Sequence, residues 1–307
     1  MKVVIAGGTG FIGSALIRHL LAAKHSLVLL TRSPAPARSI YSSGNSTSLI
    51  IDQWNGTSPG AWTQHLEGAD AIINLAGESL AAGRWTKARK ERILSSRINA
   101  TRVIVDAIHQ CARKTSVLIN ASAVGFYGDV PSGDVTEEHP AGKGFLAEVC
   151  SRWEDEGRKA ESLGMRVVFP RTGIVLDRTG GALAKLALPI KLYVGGPLGS
   201  GKQWMPWIHL EDEIRAIVFA LENQNITGPI NLTAPNPVTN KELVSSIAKV
   251  LHRPAWAPAP SFALRLILGE MSEMLLRGQR AIPNKLLQAG FEFKYNQIDQ
   301  ALKYIFG

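Results

Sequence analysis

The sequence predicts an α/β protein, a doubly wound parallel sheet with a smaller α/β C-terminal domain. Three observations carry this. Short solid runs of Val, Ile and Leu alternate with segments of helical periodicity along the first 175 or so residues, the pattern of strands covered on both faces by crossover helices. A glycine-rich turn, Gly7 to Gly13, stands between the first strand and the first helix. The chain has 307 residues, 45% of them hydrophobic and 19% charged. That is enough for a large core, and it excludes disorder and fibrous repeats.

Taken in order, Val3 to Ala6 is a β-branched run, Phe11 to Ala22 has the period of a helix, and Leu27 to Leu30 is again continuously apolar. Together they make a β-α-β unit. Further strand-like runs lie at Leu49 to Ile51, Ala71 to Leu75, Val117 to Asn120 and Arg166 to Phe169, with helical patterns over 87–110 and 145–163. Beyond about residue 175 the alternation loosens into loops such as Gly195-Gly196-Pro197 and Gly199-Ser200-Gly201. The Pro-rich segment Pro254 to Pro260 then precedes one or two more helices. This divides the chain into a nucleotide-binding domain, 1–175, and a C-terminal substrate or cap domain, 176–307, with about 208–233 returning to the first.

Lys and Arg number 34 against 25 Asp and Glu, a net charge of +9, which raises nucleic acid or an anionic membrane surface as partners. The densest cluster is Arg84, Lys87, Arg89, Lys90, Arg92, Arg97 and Arg102. It lacks the interleaved aromatics of a base-stacking platform, so it is either a solvated helix face or an anion-binding face, and no nucleic acid partner is expected. Cys111 and Cys150 are too few for a disulfide framework and form no Cys-x-x-Cys pair. Glycines 7, 8 and 10 interrupt the first apolar run before a signal peptide could form, and no stretch approaches the ~20 apolar residues that cross a bilayer. The expectation is a cytoplasmic protein without a membrane partner.

The turn Gly7-Gly8-Thr9-Gly10-Phe11-Ile12-Gly13 has the spacing Gly-x-x-Gly-x-x-Gly in a strand–turn–helix context, the phosphate-binding fingerprint of a Rossmann-type sheet. Gly7 allows the tight turn, Gly10 lets backbone approach a pyrophosphate, and Gly13 lets helix pack on strand. Thr9, Phe11 and Ile12 fill out the loop and first helical turn, whose free N–H groups and partial positive charge face the phosphates. About twenty residues past the glycines, the second strand ends in Thr31-Arg32-Ser33, where a side chain meets the adenosine ribose. An arginine there offers a planar fork to a 2′-phosphate, so NADP(H) is favoured over NAD(H). The alternative is a surface arginine in a loop.

Gly7 to Gly13, Asn74-Leu75-Ala76-Gly77-Glu78 and Ser122-Ala123-Val124-Gly125-Phe126-Tyr127-Gly128 together resemble the extended short-chain dehydrogenase/reductases. Arg84-Trp85-Thr86, Ser96-Arg97, Arg171-Thr172-Gly173-Ile174-Val175-Leu176, Gly195-Gly196-Pro197, Trp207-Ile208-His209 and Gly278-Gln279-Arg280-Ala281-Ile282-Pro283 resemble one branch of them, the epimerase-like NADP-binding proteins with a C-terminal domain of unassigned function. The resemblance spans nearly the whole chain. It implies that Leu75, Ala76 and Gly77 line the adenosine side of the cofactor and that Ala121 and Ser122 lie near the nicotinamide ribose. Arg97 either reaches a cofactor phosphate or is a helix-surface cation. Arg171, which opens one of the motifs, is counted with the cofactor residues. Some members of the branch carry cell-division labels, and dimers are common in the superfamily.

The family's proton-transfer pair, Tyr-x-x-x-Lys, belongs on the helix after the fifth strand. The segment there is Phe145-Leu146-Ala147-Glu148-Val149-Cys150-Ser151-Arg152-Trp153-Glu154, with Leu146 and Cys150, or Phe145 and Val149, in the two places. The family's helper serine falls at Ala123, one place beyond Ser122. Ser122 and Tyr127 are the remaining catalytic candidates, Tyr127 competing with a locally bonded structural role. Glu78 either faces the ligand or holds the following loop. His209 is read as a helix cap before a proton carrier, Cys150 as a packed residue before a reactive one, and Trp204, Trp207 and Tyr193 as an aromatic wall or as core. No metal site is expected. The resulting expectation is an epimerase-like NADP(H) oxidoreductase of unknown substrate, held in the crevice between the domains. The alternative is a catalytically silent NADP(H)-dependent regulatory module.

Overall fold

A computed structural model describes residues 1–41 and 48–307. Seven strands make the central sheet: β1 (Lys2–Ala6), β2 (Ser26–Thr31), β3 (Leu49–Gln53), β4 (Ala71–Asn74), β5 (Val117–Asn120), β6 (Arg166–Thr172) and β7 (Gly228–Leu232). Their order is β7-β6-β5-β4-β1-β2-β3, and every neighbouring pair is parallel. The short strand Ser122–Ala123 adds to β6 at Arg171 and Thr172. The chain leaves β1 toward β2 on one side and later fills β4 on the other. The carboxyl ends of β1 and β4 therefore border a topological switch point, where open α/β sheets bind ligands.

Strand alternation splits the core in two. Val3, Ile5, Leu27 and Leu29 face one side with Leu16, Ile17 and Leu20 of α1 (Phe11–Ala22), while Val4, Ala6, Val28 and Leu30 face the other with Ile104 and Ile108. Helix α2 (Pro34–Tyr41) opens with prolines that the first turn of a helix tolerates but that hide its periodicity. Ile104 and Ile108 belong to α3 (Lys87–Gln110), which starts on Thr86, whose hydroxyl accepts from the Arg89 N–H. Helix α4 (Phe145–Arg158) lies beside it. The basic cluster on α3 does not form a single cationic face. Arg89 and Arg97 turn inward onto the carbonyls of Ser79 and Glu78, and Lys90 and Arg102 pair with Glu270 and Glu156.

After β6 the chain passes through α5 (Gly181–Lys191) and then α6 (Leu210–Glu222), whose Ile214, Ile217 and Leu221 join the α1 side of the sheet core. β7 then pairs with β6. The remaining C-terminal region has its own core, in which α5 and α7 (Asn240–Leu251) pack with Trp207, Tyr295 and the terminal helix Ile298–Phe306. No helix among the described residues is long and apolar enough to cross a membrane.

Candidate cofactor and substrate site

The site starts at the β1–α1 turn. Gly7 has φ +79°, and a Cβ there would stand 2.6 Å from the Leu75 carbonyl carbon. A Cβ on Gly13 would stand 2.4 Å from Gly7 O, so only glycines let α1 sit this close to β1 and β4. The first intrahelical bond runs from the Ser14 N–H to Gly10 O at 2.8 Å. Gly10 supplies no side-chain cap, and the first turn holds no acidic residue. The N–H groups of Phe11, Ile12 and Gly13 therefore have no intrahelical acceptor, and they open onto a ligand-sized space. A pyrophosphate fits that cradle.

Two cavities meet there, sharing Gly7, Gly10 and Leu75. The first, about 430 Å³, runs over the ends of β2 and β4 past Thr9, Thr31, Arg32, Ala76, Gly77 and Glu78. The second, about 480 Å³, runs over β5 and β6 past Phe11, Ile12, Gly13, Arg97, Ala121 and Ser122. Each is of a size to hold half of a dinucleotide or a small substrate. Sequence reasoning missed Trp54, Asn55, Gly56 and Thr57, which wall the first cavity. Their Asn-Gly turn signal was present but does not say what the turn faces. Asn55 holds it by accepting from the Thr57 and Ser58 N–H groups at 2.9 and 3.0 Å.

Arg32 stands exposed at the cavity edge and makes no ion pair among the described residues. Glu78 borders the same cavity while its carboxylate takes the Arg89 guanidinium at 3.4 Å, so a cation, not backbone N–H groups, engages it. Arg97 reaches the second cavity with its guanidinium over Trp153 and one nitrogen shared between the Glu78 and Ile93 carbonyls. Burial holds its pKa below the usual value.

Three candidates need correction. Arg171 lines neither cavity. It is 3% exposed, with Nε and Nη2 each 2.8 Å from the Glu154 carboxylate and Nη1 shared between Tyr127 Oη and Glu137 O. Its donors are committed inside the protein. Tyr127 is 1% exposed, donates to Asn231 Oδ1 at 2.6 Å and accepts from Arg171. Burial, partly offset by Arg171, pushes its phenol up to about 12, and the residue lines neither cavity. Ser122 does line the second cavity, but its hydroxyl donates to Glu154 Oε1 at 2.7 Å and is left only to accept. The Tyr127→Phe substitution is expected to leave cofactor affinity within about twofold and to cost about 1–3 kcal/mol of stability by stranding Asn231 Oδ1. Affinity loss without stability loss in paired titration and urea unfolding would return the tyrosine to the site.

The places of the absent pair are apolar. Leu146 and Cys150 both line the second cavity, and a Cβ on Gly125 would lie 3.2 Å from Leu146 Cβ and 3.8 Å from Cys150 Sγ. Burial pushes the Cys150 thiol up to about 12, which disfavours the reactive thiolate form. Leu80, Val124, Phe145, Trp204 and Met274 continue the apolar wall, with Asp129 and Lys143 also on the lining. Of the proposed aromatic wall only Trp204 is present. Trp207 is wholly buried, and Tyr193 is half exposed under Arg253. His209 caps α6, its Nδ1 accepting from the Glu211 N–H at 3.1 Å.

Glu213, on α6, was not anticipated. It borders the second cavity, is 1% exposed, accepts from Thr172 Oγ1 at 2.8 Å and leaves Oε2 without a partner. Burial pushes its carboxyl up to about 8. Its signal, a third acidic residue in the first turn after Glu211 and Asp212, reads in sequence as ordinary helix-dipole pairing.

Residues 3–151 match the NAD dependent epimerase/dehydratase family, and residues 259–305 match a domain of unknown function (DUF1731). The chain is similar to the epimerase family protein SDR39U1 homolog, chloroplastic, of Arabidopsis thaliana, with 40% identity over 99% of this chain and 86% of the relative. It is 41% identical to the epimerase family protein YfhF of Bacillus subtilis, over 99% of this chain and 98% of the relative. Human epimerase family protein SDR39U1, solved with NADPH, superposes with a TM-score of 0.85 at 31% identity, covering 99% of each chain. A UDP-glucuronic acid 4-epimerase from Bacillus cereus superposes at 0.80 with 18% identity, over 100% of this chain and 98% of that one, which is likeness of fold alone. The glycine turn on β1, the parallel sheet and the two whole-length relatives agree: the chain belongs to the NAD dependent epimerase/dehydratase family.

Proposed function

We propose that the protein is an NADP(H)-dependent, epimerase-like oxidoreductase of the extended short-chain type, working in the cytoplasm on a small molecule held between the sheet and the C-terminal region. The observation that carries this reading is the meeting of two cavities at an uncapped helix start, with an unpaired arginine at the edge of one and apolar walls around the other. In this reading the amides of Phe11 to Gly13 hold the pyrophosphate and the Arg32 fork holds a 2′-phosphate. Ala76, Gly77 and Glu78 flank the adenosine, and Ala121 and Ser122 flank the nicotinamide ribose. The bound dinucleotide supplies hydride chemistry at nicotinamide C4. Leu146, Trp153, Trp204 and Met274 keep water from the reacting face. Ser122 donates to Glu154 and no tyrosine lines this cavity, so in this reading the buried group on its lining with an uncommitted oxygen for proton exchange is Glu213.

The human relative with NADPH supports the same cofactor. Arg32→Asp is expected to weaken NADPH binding about 100-fold, the loss of two charge-assisted hydrogen bonds, while NADH changes little. Nicotinamide fluorescence titration reads both, and an equal fall for the two sinks the preference. A second reading, a cofactor-bound regulator, is favoured by the apolar Leu146 and the buried Cys150 thiol in the catalytic places. Saturable NADPH binding with no oxidation by any class of carbonyl compound would select it.

A further inference from the structure

We propose that the C-terminal region carries a docking face for an anionic membrane surface, built on α8 (Ser261–Leu268) and the ribbon that leads into it. α8 reads Ser-Phe-Ala-Leu-Arg-Leu-Ile-Leu, and none of its residues is buried. Phe262, Leu266 and Ile267 are 74%, 75% and 66% exposed. The ribbon before it runs beside the chain that follows α5. The Ala257 N–H donates to Gly195 O, the Ala259 N–H to Pro197 O, and the Gly199 N–H to Ala259 O. Trp256, 70% exposed, donates its indole N–H to Tyr193 O, next in the chain to Leu192 and Val194, 62% and 61% exposed. Large apolar side chains gathered on adjoining runs of a folded chain mark a contact surface.

The charges around them choose the occupant. Arg265 lies within α8, Arg253 over the Tyr193 ring, Lys191 at the end of α5, and Arg84 beside Gly269 at the end of α8. None of these four makes an ion pair among the described residues. The two carboxylates that follow α8, Glu270 and Glu273, are taken by Lys90 and Arg277. A second copy across a two-fold axis would set this cationic patch against itself. A bilayer surface rich in phosphate accepts both components. Apolar side chains enter the headgroup boundary, tryptophan is at home there, and arginine and lysine meet the anionic heads. The net charge of +9 acts in the same direction. The expected absence of a membrane partner rested on the lack of a spanning segment. Surface docking needs none.

Sedimentation of the full chain with vesicles tests this. Vesicles of mixed phosphatidylglycerol and phosphatidylcholine are expected to bind at least about tenfold more tightly than phosphatidylcholine alone, and high salt should abolish the difference. Phe262→Ser with Leu266→Ser, and separately Arg253→Glu with Arg265→Glu, should each weaken binding about tenfold. All four positions are exposed, and unchanged circular dichroism and NADPH affinity would show both variants folded. No binding to anionic vesicles overturns the proposal, as does equal binding to both vesicles. A stable dimer that Leu266→Ser splits also overturns it, by giving the face to a second copy.

Discussion

Arg171→Met is expected to destabilise the protein by about 3–5 kcal/mol, because it leaves a buried carboxylate without its counter-charge. Glu154 is 1% exposed and is held by both nitrogens of the Arg171 fork, with only Ser122 and a 3.9 Å contact from Arg158 to compensate. The guanidinium also stacks 3.5 Å from the Phe126 ring centre and donates to Tyr127. One substitution therefore strips several partners at once. Urea unfolding measures the loss. Adding Glu154→Leu to Arg171→Met should recover part of it, since removing both charges is far cheaper than removing one. If Arg171→Met instead leaves the unfolding midpoint in place and lowers NADPH affinity, the arginine is a cofactor ligand after all.

The second large effect is a fall in stability with rising pH contributed by Glu213. Its carboxyl rises from an ordinary value of 4.5 to about 8 in the folded protein, so the native state holds a proton that the unfolded chain has released. Below about 4.5 both states are protonated and the contribution is fully present. Between there and about 8 the unfolded chain binds fewer protons, and stability falls with rising pH at up to about 1.4 kcal/mol per unit. Above about 8 both states are ionised and the slope vanishes. Glu213→Gln removes the titration. Glu156, Glu211 and Asp299, whose pKa values are lowered by their cation and hydrogen-bond partners, act in the opposite sense at lower pH, as do His25 and His209, lowered by burial, nearer neutrality, and all five are common to both proteins. The difference between the two stability profiles, measured by unfolding from pH 5 to 9, isolates the one group, and superimposable profiles would sink the assignment.

These two residues also show where reading the sequence stops. Arg171 is the last residue but one of a strand that is buried on both faces, so its neighbours carry no polar–apolar alternation to tell which way a side chain points. Position 172 turns toward the cavity and 171 away from it, and nothing local distinguishes them. Tyr127 was legible as a residue on the loop where a pocket opens. Its fate was set by Asn231, 104 positions further on. Glu213 looked like routine helix-start acidity because its burial, and the Thr172 hydroxyl that bonds it from 41 positions away, arrive by packing. In α8 the apolar spacing is the same as for a core helix, and only the absence of anything packed over it turns those side chains outward.

What the sequence determined by itself were the features that act within a few residues: the glycines whose missing Cβ atoms allow the turn, the free amides at the start of α1, the alternating strands and helices, and the Arg32 that follows β2. Backbone sterics and periodicity are local, so they can be read along the chain. The tertiary structure alone decided which titratable groups face the cavity and which are consumed in buried networks. Hydrogen-bond partners, desolvation and surface exposure depend on residues tens to a hundred positions apart, and packing brings those together in ways that no local pattern encodes.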